Sequence, residues 1–414
     1  MTTKSAPATD GDEMKARDSP RAEGSRREAS GFEVSVVIPC LDESDTLAAC
    51  IRVAREAMQS AGIEGEIVVA DNGSTDGSVE IALAEGARVV HVATRGYGAA
   101  LLEGIAEAHG EVVIMGDADL SYDFAEIPRF VERLREGYDL VQGCRLPAGR
   151  GTVMPGAMPF LHRWIGNPIL SALARLLFRS PVTDIYCGLR GFRREWQMEL
   201  GQECVGMEFA SEMIVKASIS QARITEIPVT LHPDGRVSHP PHLRTFRDGW
   251  RTLRFFLLFS PRWLFVYPGI ALILFGILGY AIALPGLRVG GVQFDVSTLL
   301  FATLGALVGH QALILAASAQ AYGLREGLLP RNGPVMALLR PRRLETGLVA
   351  GLILGLIGVV LLGLAVLQWW SAGFGDLEYP RILRLVIPGM LFTGLGVQTI
   401  FGAFHLSLLD THRR

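Results

Sequence analysis

Four long apolar stretches constrain this chain more than any other feature. They cover about 264–287, 296–318, 346–370 and 385–408, and each reaches the ~20 residues that a helix needs to cross a bilayer. Buried soluble helices rarely run so long without charge, so four membrane spans are expected within 263–414. Hydrophobic residues make up 49% of the chain but are concentrated here. Residues 31–230 have the balance of an ordinary globular domain. The loop between the second and third spans carries Arg325, Arg331, Arg340, Arg342 and Arg343, and the chain ends in His412-Arg413-Arg414. The other two connections are less basic, with Arg288 and Asp295 in one and Asp376, Glu378, Arg381 and Arg384 in the other. Cytoplasmic loops carry an excess of Lys and Arg. The basic loop, both termini and the soluble part are therefore expected on the cytoplasmic side of the inner membrane. Residues 1–30 are polar, show no signal-peptide pattern and are expected to be disordered.

Upstream of the spans, short apolar runs alternate with helical patterns. Strands are expected at 34–39, 66–70, 88–93, 111–115 and 139–142, and helices near 45–60, 78–85, 97–109 and 125–135. Ser44 or Asp45 is the expected cap of the first helix. Such alternation implies an α/β domain, with a mainly parallel sheet and helices on both faces. Ligands in these sheets bind at the carboxyl ends of the strands. Asp71 follows the second strand and Asp117-Ala118-Asp119 the fourth, which puts three acids on one rim. Residues i and i+2 of an extended segment point the same way, so Asp117 and Asp119 leave the same face. Two hard oxygen ligands can hold a Mg²⁺ or Mn²⁺ that also binds a substrate diphosphate; the plainer alternative is a polar turn.

The remaining composition narrows the classes. A net charge of −3 gives no sign of a nucleic-acid partner. The five cysteines form no C-x-x-C pair, which fits a reduced compartment. His232, His239 and His242 have a spacing that suits no standard zinc site. Two segments read as basic amphipathic helices in the headgroup layer of a lipid bilayer. One is 162–179, with Arg163, Arg175 and Arg179 among Trp164, Ile165, Ile169 and Leu176. The other is the juxtamembrane segment 244–262, with Arg247, Arg251 and Arg254 beside Trp250, Phe256 and Leu257. A soluble core helix with an arginine edge is the alternative for each. His310, Gln311, Gln398 and His405 are expected to bond between spans, and the small residues of 351–358 permit close packing and a homo-oligomer.

Val36-Val37-Ile38-Pro39-Cys40-Leu41-Asp42-Glu43, Val69-Ala70-Asp71-Asn72-Gly73-Ser74-Thr75-Asp76-Gly77 and Asp117-Ala118-Asp119 form an ordered set. The set resembles family 2 glycosyltransferases with the GT-A fold, a Rossmann-like mainly parallel sheet. Gly143-Cys144-Arg145, Asp184 and Cys187-Gly188-Leu189-Arg190-Gly191-Phe192 resemble the dolichol-phosphate mannosyltransferase-like branch, which makes polyprenyl-phosphate sugars. The resemblance covers about 34–260 and implies a domain over 31–243. It implies a nucleotide-diphosphate sugar donor, of the GDP-mannose or UDP-glucose type, and a polyprenyl-phosphate acceptor. Pro39, Leu41 and Glu43 would line the nucleotide pocket, and Asp71, with Val69 nearby, would contact the base. Asp117, Ala118 and Asp119 would surround the metal and diphosphate. Ser121 stands where many relatives have Gln and would be a weaker metal ligand. Arg145, Arg163 with Asn167, and Arg236 would bind phosphates. Two rivals stay open. A different lipid acceptor would need a general base such as Glu212, and a translocase would use the soluble domain only to bind nucleotide. A processive synthase lacks its Gln-x-x-Arg-Trp motif here.

Overall fold

A computed structural model of the chain describes residues 31–237, 245–289, 291–325, 344–376 and 378–410. The expected disordered tail 1–30, His239, His242, most of the basic loop (Arg331, Arg340, Arg342 and Arg343) and 412–414 lie outside the described residues.

The soluble half begins with β1 (Val34–Cys40), α1 (Leu47–Ser60), β2 (Gly65–Asp71), α2 (Ser78–Ala84), β3 (Arg88–His91), α3 (Tyr97–Glu107) and β4 (Val112–Met115). It continues through α4 (Ile127–Arg135), β5 (Leu140–Cys144), β6 (Thr152–Val153), α5 (Asn167–Phe178), β7 (Arg190–Arg193), α6 (Arg194–Glu199) and α7 (Glu208–Ile219). It closes with β8 (Ile224–Pro228), β9 (Thr230–Leu231) and α8 (Thr245–Leu258). Seven strands form one sheet in the order β3-β2-β1-β4-β7-β5-β8. All pairs are parallel except those of β7, which runs antiparallel between β4 and β5. The chain builds outward from β1 to β3, then returns to lay β4 on the other side of β1. That reversal opens a crevice at the carboxyl ends of β1 and β4, the place where such sheets take ligands.

Side-chain alternation splits the core in two. Val34, Val36 and Ile38 of β1 join Leu47, Ile51, Phe130 and Val131 on one face. Val37 joins Leu101, Ile105, Phe209 and Met213 on the other. Helices α1, α2 and α4 thus cover one face, and α3, α5, α7 and α8 the other. The expected cap of α1 is corrected. Thr46, not Ser44 or Asp45, precedes the helix and makes no side-chain cap, and the Asp45 carboxylate accepts the Val237 N–H instead.

The membrane half holds α9 (Tyr267–Ala283), the hairpin β10 (Arg288–Val289) and β11 (Val292–Gln293), α10 (Val296–Arg325), α11 (Leu344–Ser371) and α12 (Tyr379–Asp410). Four helical segments are long and apolar enough to span a bilayer: Arg262–Ala283, Val296–Leu324, Leu344–Ser371 and Tyr379–Leu409. The last starts earlier than its apolar window because Arg384 is paired with Asp295 at 2.8 Å, which lets a charged turn stay helical. Close packing is set by glycine. A Cβ at Gly276 would lie 2.9 Å from the Ala302 carbonyl, and one at Gly358 would lie 2.4 Å from the Thr393 nitrogen. Polar groups bond between helices, as expected for His310, whose Nε2 is 3.0 Å from Thr399 Oγ1. Tyr280 and Thr303 hydroxyls meet at 2.6 Å.

The two amphipathic segments differ. A π-helical turn, His162–Gly166, leads into α5. Phe160, Leu161, Trp164, Ile165 and Ile169 are all exposed there, Phe160 by 71%. Helix α8 instead seats Phe255 and Phe256 in the soluble core, with Phe256 edge-on to Phe178. The Phe256 expected in the headgroup layer is therefore a core residue. Arg247, Arg251, Arg254 and Trp250 remain on the open side.

Candidate active site

The loops that leave β1 and β2 are stitched together. Ser74 Oγ accepts the Asp42 N–H at 3.0 Å, and the Asp42 carboxylate accepts the Thr75 N–H at 2.7 Å. Ser78 Oγ accepts the Glu43 N–H at 2.8 Å. Asp42 takes a φ of 58°, a left-handed conformation that costs a non-glycine residue energy and gathers at functional sites. Asp71 ends β2, almost fully buried. Its Oδ1 accepts the Ser74 N–H at 2.9 Å, and its Oδ2 lies 3.3 Å from His91 Nδ1. Burial alone would raise its pKa, but the hydrogen bonds from Ser74 and His91 outweigh it and hold the carboxyl below its usual range. Asp71, Ser74, Thr75, Gly77, Glu80 and His91 line a cleft of about 450 Å³. Pro39, within β1, and Leu41, just after it, are half-buried. Val69 is fully buried in the core, so its side chain cannot line the cleft.

Asp117 and Asp119 follow β4 into the crevice. Tyr97, at the start of α3, donates its hydroxyl to Asp117 Oδ1 at 3.0 Å. Burial first, then the neighbouring Asp119 charge, push the Asp117 carboxyl up to about 7. Asp119 Oδ1 accepts both the Ser121 N–H at 3.0 Å and its hydroxyl at 2.5 Å. Ser121 thus orients Asp119. Ala118 between them is buried, and its carbonyl takes the Cys50 thiol at 3.3 Å. Only glycine fits at 188, where a Cβ would come within 2.5 Å of Asp117 Oδ2. Among the described residues no group of three His, Cys, Asp or Glu side chains forms a metal cage. Two carboxylates with the other positions left to water and substrate oxygens match the way Mg²⁺ is usually held. Two neighbouring acids, one raised by burial and then by the other's charge, fit a divalent cation.

The three arginines sit differently. Arg145 is buried and locked to Asp184, Nε to Oδ2 and Nη2 to Oδ1 both at 2.8 Å, with Nη1 donating to the Tyr122 hydroxyl at 3.2 Å. Arg236 lies on the acids, its Nε 2.7 Å from Glu43 Oε2 and its Nη2 3.3 Å from Asp119 Oδ2. Arg163 lies on the π-helical turn, half-buried, with Nε lacking a hydrogen-bond partner among the described residues and its guanidinium 5.2 Å from the Trp164 ring centroid. Arg145 lies close enough to the neighbouring His162 that, after burial, its charge helps lower that imidazole's pKa.

Several site residues escape a reading by motif. Tyr97, Tyr122 and the Gly188 backbone tie the acid loop to the rest of the sheet, with the Gly188 N–H donating to Tyr122 Oη at 2.8 Å. A hint stood in the pairing of Gly96 and Gly98 around Tyr97. A Cβ at Gly98 would lie 2.2 Å from the Cys204 carbonyl, so the 204–206 loop can rest on the start of α3. Glu212 secures that loop. It accepts the Cys204 N–H at 2.9 Å and the Glu203 N–H at 3.1 Å and pairs with Lys216 at 2.9 Å. Glu208 is 3.5 Å from Arg251 of α8. Arg190, fully buried, donates to the carbonyls of Cys187, Ala210 and Ile185 at 2.7–2.9 Å and fixes the loop that carries Gly188. All five cysteines are free thiols.

Residues 35–201 match the glycosyl transferase family 2 model, and 317–410 match the glycosyltransferase family 2 C-terminal transmembrane region. The low-salt glycan biosynthesis hexosyltransferase Agl6 of Haloferax volcanii is 36% identical over 379 residues, covering 91% of this chain and 89% of its own length. Glycosyltransferase AglJ of the same organism is 32% identical over 52% of this chain and 68% of its own. Among solved structures, glucosyl-3-phosphoglycerate synthase from Mycobacterium tuberculosis, in complex with Mn²⁺, UDP and phosphoglyceric acid, is 23% identical. It covers 55% of this chain and 77% of its own, at a TM-score of 0.43, too distant a likeness to carry an argument. With a catalytic-domain match, a matching membrane region and a relative aligned almost end to end, the chain belongs to glycosyltransferase family 2, as an integral membrane enzyme with a C-terminal transmembrane region.

Proposed function

We propose that the enzyme moves a hexose, with inversion, from a nucleotide-diphosphate sugar of the UDP-glucose or GDP-mannose type to a polyprenyl phosphate at the cytoplasmic face of the membrane. The observation that carries this reading is the Asp117/Asp119 pair, two crowded carboxylates in the crevice beside β1. A Mg²⁺ or Mn²⁺ held by them supplies positive charge for the departing diphosphate. Asp71, ionised and edged by His91, accepts the imide N–H of the base, which uracil and guanine both offer. Pro39, Leu41 and Glu43 flank the nucleotide, and Ala118 and Ser121 hold the acid loop in shape.

The acceptor phosphate is already anionic near neutral pH, its second pKa being about 6. No strong base is needed, and one acceptor oxygen bonds to the anomeric carbon as the bond to the diphosphate breaks. What the protein must do is bring two anions together. Guanidinium forks suit that task. Arg163 has an uncommitted Nε and lies on the apolar ridge, which favours it for the lipid phosphate. Arg145, held rigid by Asp184, adds fixed positive charge near His162, and Arg236 is within reach of a diphosphate at Asp119. The ridge of Phe160, Leu161, Trp164 and Ile165 and the arginines of α8 would lie in the headgroup layer. The catalytic domain (31–243), juxtamembrane helix (244–262) and membrane domain (263–414) then meet at one plane. A lipid hydroxyl as acceptor would need a general base, and Glu212, the expected one, is tied up in the 203–204 loop instead.

The test uses the purified full chain with radiolabelled UDP- and GDP-sugars and short polyprenyl phosphates. Lipid-linked sugar should form with one donor class, require added Mg²⁺ or Mn²⁺, and vanish in Asp119→Ala. Transfer to diacylglycerol alone, or transfer that survives neutralising both Asp117 and Asp119, would overturn the proposal.

A further inference from the structure

Arg236 is enclosed by acids in a way that a simple phosphate contact does not require. Its side chain is only 10% exposed and meets three carboxylates: Glu43 at 2.7 Å, Asp234 at 3.0 Å and Asp119 at 3.3 Å. The loop that carries it is fastened to the acid loop. The Gly235 N–H donates to the Asp119 carbonyl at 2.9 Å and the His232 N–H to the Ser121 carbonyl at 2.9 Å. The Val237 N–H donates to Asp45 Oδ2 at 3.0 Å. Asp119 therefore has both oxygens engaged, Oδ1 by Ser121 and Oδ2 by the guanidinium.

We infer that Arg236 is the internal counter-cation of Asp119, and that it makes metal binding depend on the nucleotide. This rests on the reading that Asp117 and Asp119 hold the metal. A divalent cation needs the Asp119 oxygen that Arg236 faces, and two positive centres a few ångströms apart repel strongly in a partly buried site. Metal alone must displace Nη2 of the guanidinium from Asp119 and leave that arm without its carboxylate, beside a second positive centre. A nucleoside diphosphate changes that balance. Its oxygens give Nη2 of the guanidinium a new charged acceptor within the reach of one side chain, while Glu43 on Nε and Asp234 on Nη1 keep the group in place. Metal and nucleotide then bind cooperatively, and linkage makes the effect reciprocal. Arg236 is in this account a positioning residue that sets the order of loading, and Glu43 is its anchor.

The experiment is a Mn²⁺ titration of the full chain in detergent, read by the electron paramagnetic resonance of free Mn²⁺, without nucleotide and with UDP or GDP. In the wild type one nucleotide should tighten Mn²⁺ binding by about tenfold or more. Arg236→Gln should bind Mn²⁺ alone about tenfold tighter than wild type, and the further tightening by nucleotide should be several-fold smaller than in wild type. Arg236→Lys keeps a charge but loses the fork, and should show a smaller tightening in the same direction. It carries the test if the Gln variant shows no cooperative melt. Should the Arg236 variants bind Mn²⁺ alone no tighter than wild type, while Asp119→Asn abolishes binding, the inference falls and the metal site stands. If no variant and no wild type binds Mn²⁺ with either nucleotide, the metal site itself falls and takes the inference with it.

Discussion

The two ends of the sheet treat a carboxylate in opposite ways. At the foot, beneath the amino ends of the strands, Glu66 accepts from Ser35 Oγ at 2.7 Å, the His109 N–H at 2.7 Å and Arg88 Nε at 3.0 Å. Burial alone would raise its pKa, but those donors outweigh it and hold the acid below its ordinary value. At the rim, Asp117 has the Tyr97 hydroxyl as its one side-chain donor among the described residues, and burial and the Asp119 charge drive it up to about 7. Arg236 is aimed at Asp119 and Glu43 instead. Donor supply decides the sign, since the backbone framework is shared. The foot is arranged for stability. The rim stores repulsion that an added cation relieves, and perturbed acids of this kind mark functional sites.

The largest effect that could break this contrast is at Asp119. Asp119→Ala should lower sugar transfer by about 10³-fold while the protein still melts cooperatively. An undiminished rate would remove the rim's claim to chemistry. Asp117→Asn separates the two roles of the pair. Its folded pKa, about 7, lies above its ordinary 3.8, so between those values the folded state holds a proton that the unfolded state has lost. Wild-type stability is thereby lowered as pH rises from about 4 through 7. The Asn variant, which can still accept from Tyr97, escapes that loss. In chelator at pH 8 it should melt higher than wild type, with the gap closing toward pH 4, and transfer should be nearly abolished. The same protonation predicts that wild-type Mn²⁺ affinity weakens as pH falls below about 7, readable in the same titration.

How much of this could be read from residue order varies by range. Hydropathy displayed the four spans, because crossing a bilayer needs long unbroken runs, and only the span ends moved. Strand alternation and the acids after β2 and β4 were equally visible, since each is a local pattern. What stayed hidden was long-range pairing. β7 is four residues, Arg190 to Arg193, too polar and short to read as a central strand, yet it is buried between two others. The Arg145–Asp184 lock spans 39 positions and the Arg236–Glu43 contact 193. Composition gives both of these arginines a plausible phosphate, and only the fold reveals the carboxylate already beside each. Glu212 shows the reverse case: an acid one turn from Glu208 looked available for acceptor chemistry, and its partners prove to be the Lys216 ammonium and backbone N–H groups.

At the foot the expected effects are on stability alone. Glu66→Gln exchanges a carboxylate that gathers three donors for an amide that can turn only one oxygen toward them. With its oxygen in the place of Oε1 the amide keeps Ser35 and the His109 N–H, and the Arg88 guanidinium on Oε2 loses its charged acceptor, a loss of about 1–3 kcal/mol, read from the melting transition at pH 7. Because the folded pKa of Glu66 lies below its ordinary 4.5, its contribution is present above that value and is lost as pH falls through the folded pKa. The two proteins should therefore converge in acid, the opposite of the Asp117 pattern. Transfer per folded molecule should not change.

The smallest effect tests whether burial, and not charge pairing as such, gives the foot its strength. Glu33 and Arg135 form a two-pronged pair there, with both contacts at 2.7 Å, and the geometry is as good as that around Glu66. Their side chains are 32% and 56% exposed, against 9% for Glu66. Water already solvates both partners, so the pair contributes at most about 1 kcal/mol and is screened by salt. Glu33→Gln should shift the melting temperature far less than Glu66→Gln, and 1 M salt should erase the shift in the first and leave most of it in the second. Equal shifts in both would mean that contact geometry alone sets the strength of these acids. The rim and the foot would then differ only in how many partners each carboxylate has, and not in how deeply it is held from water.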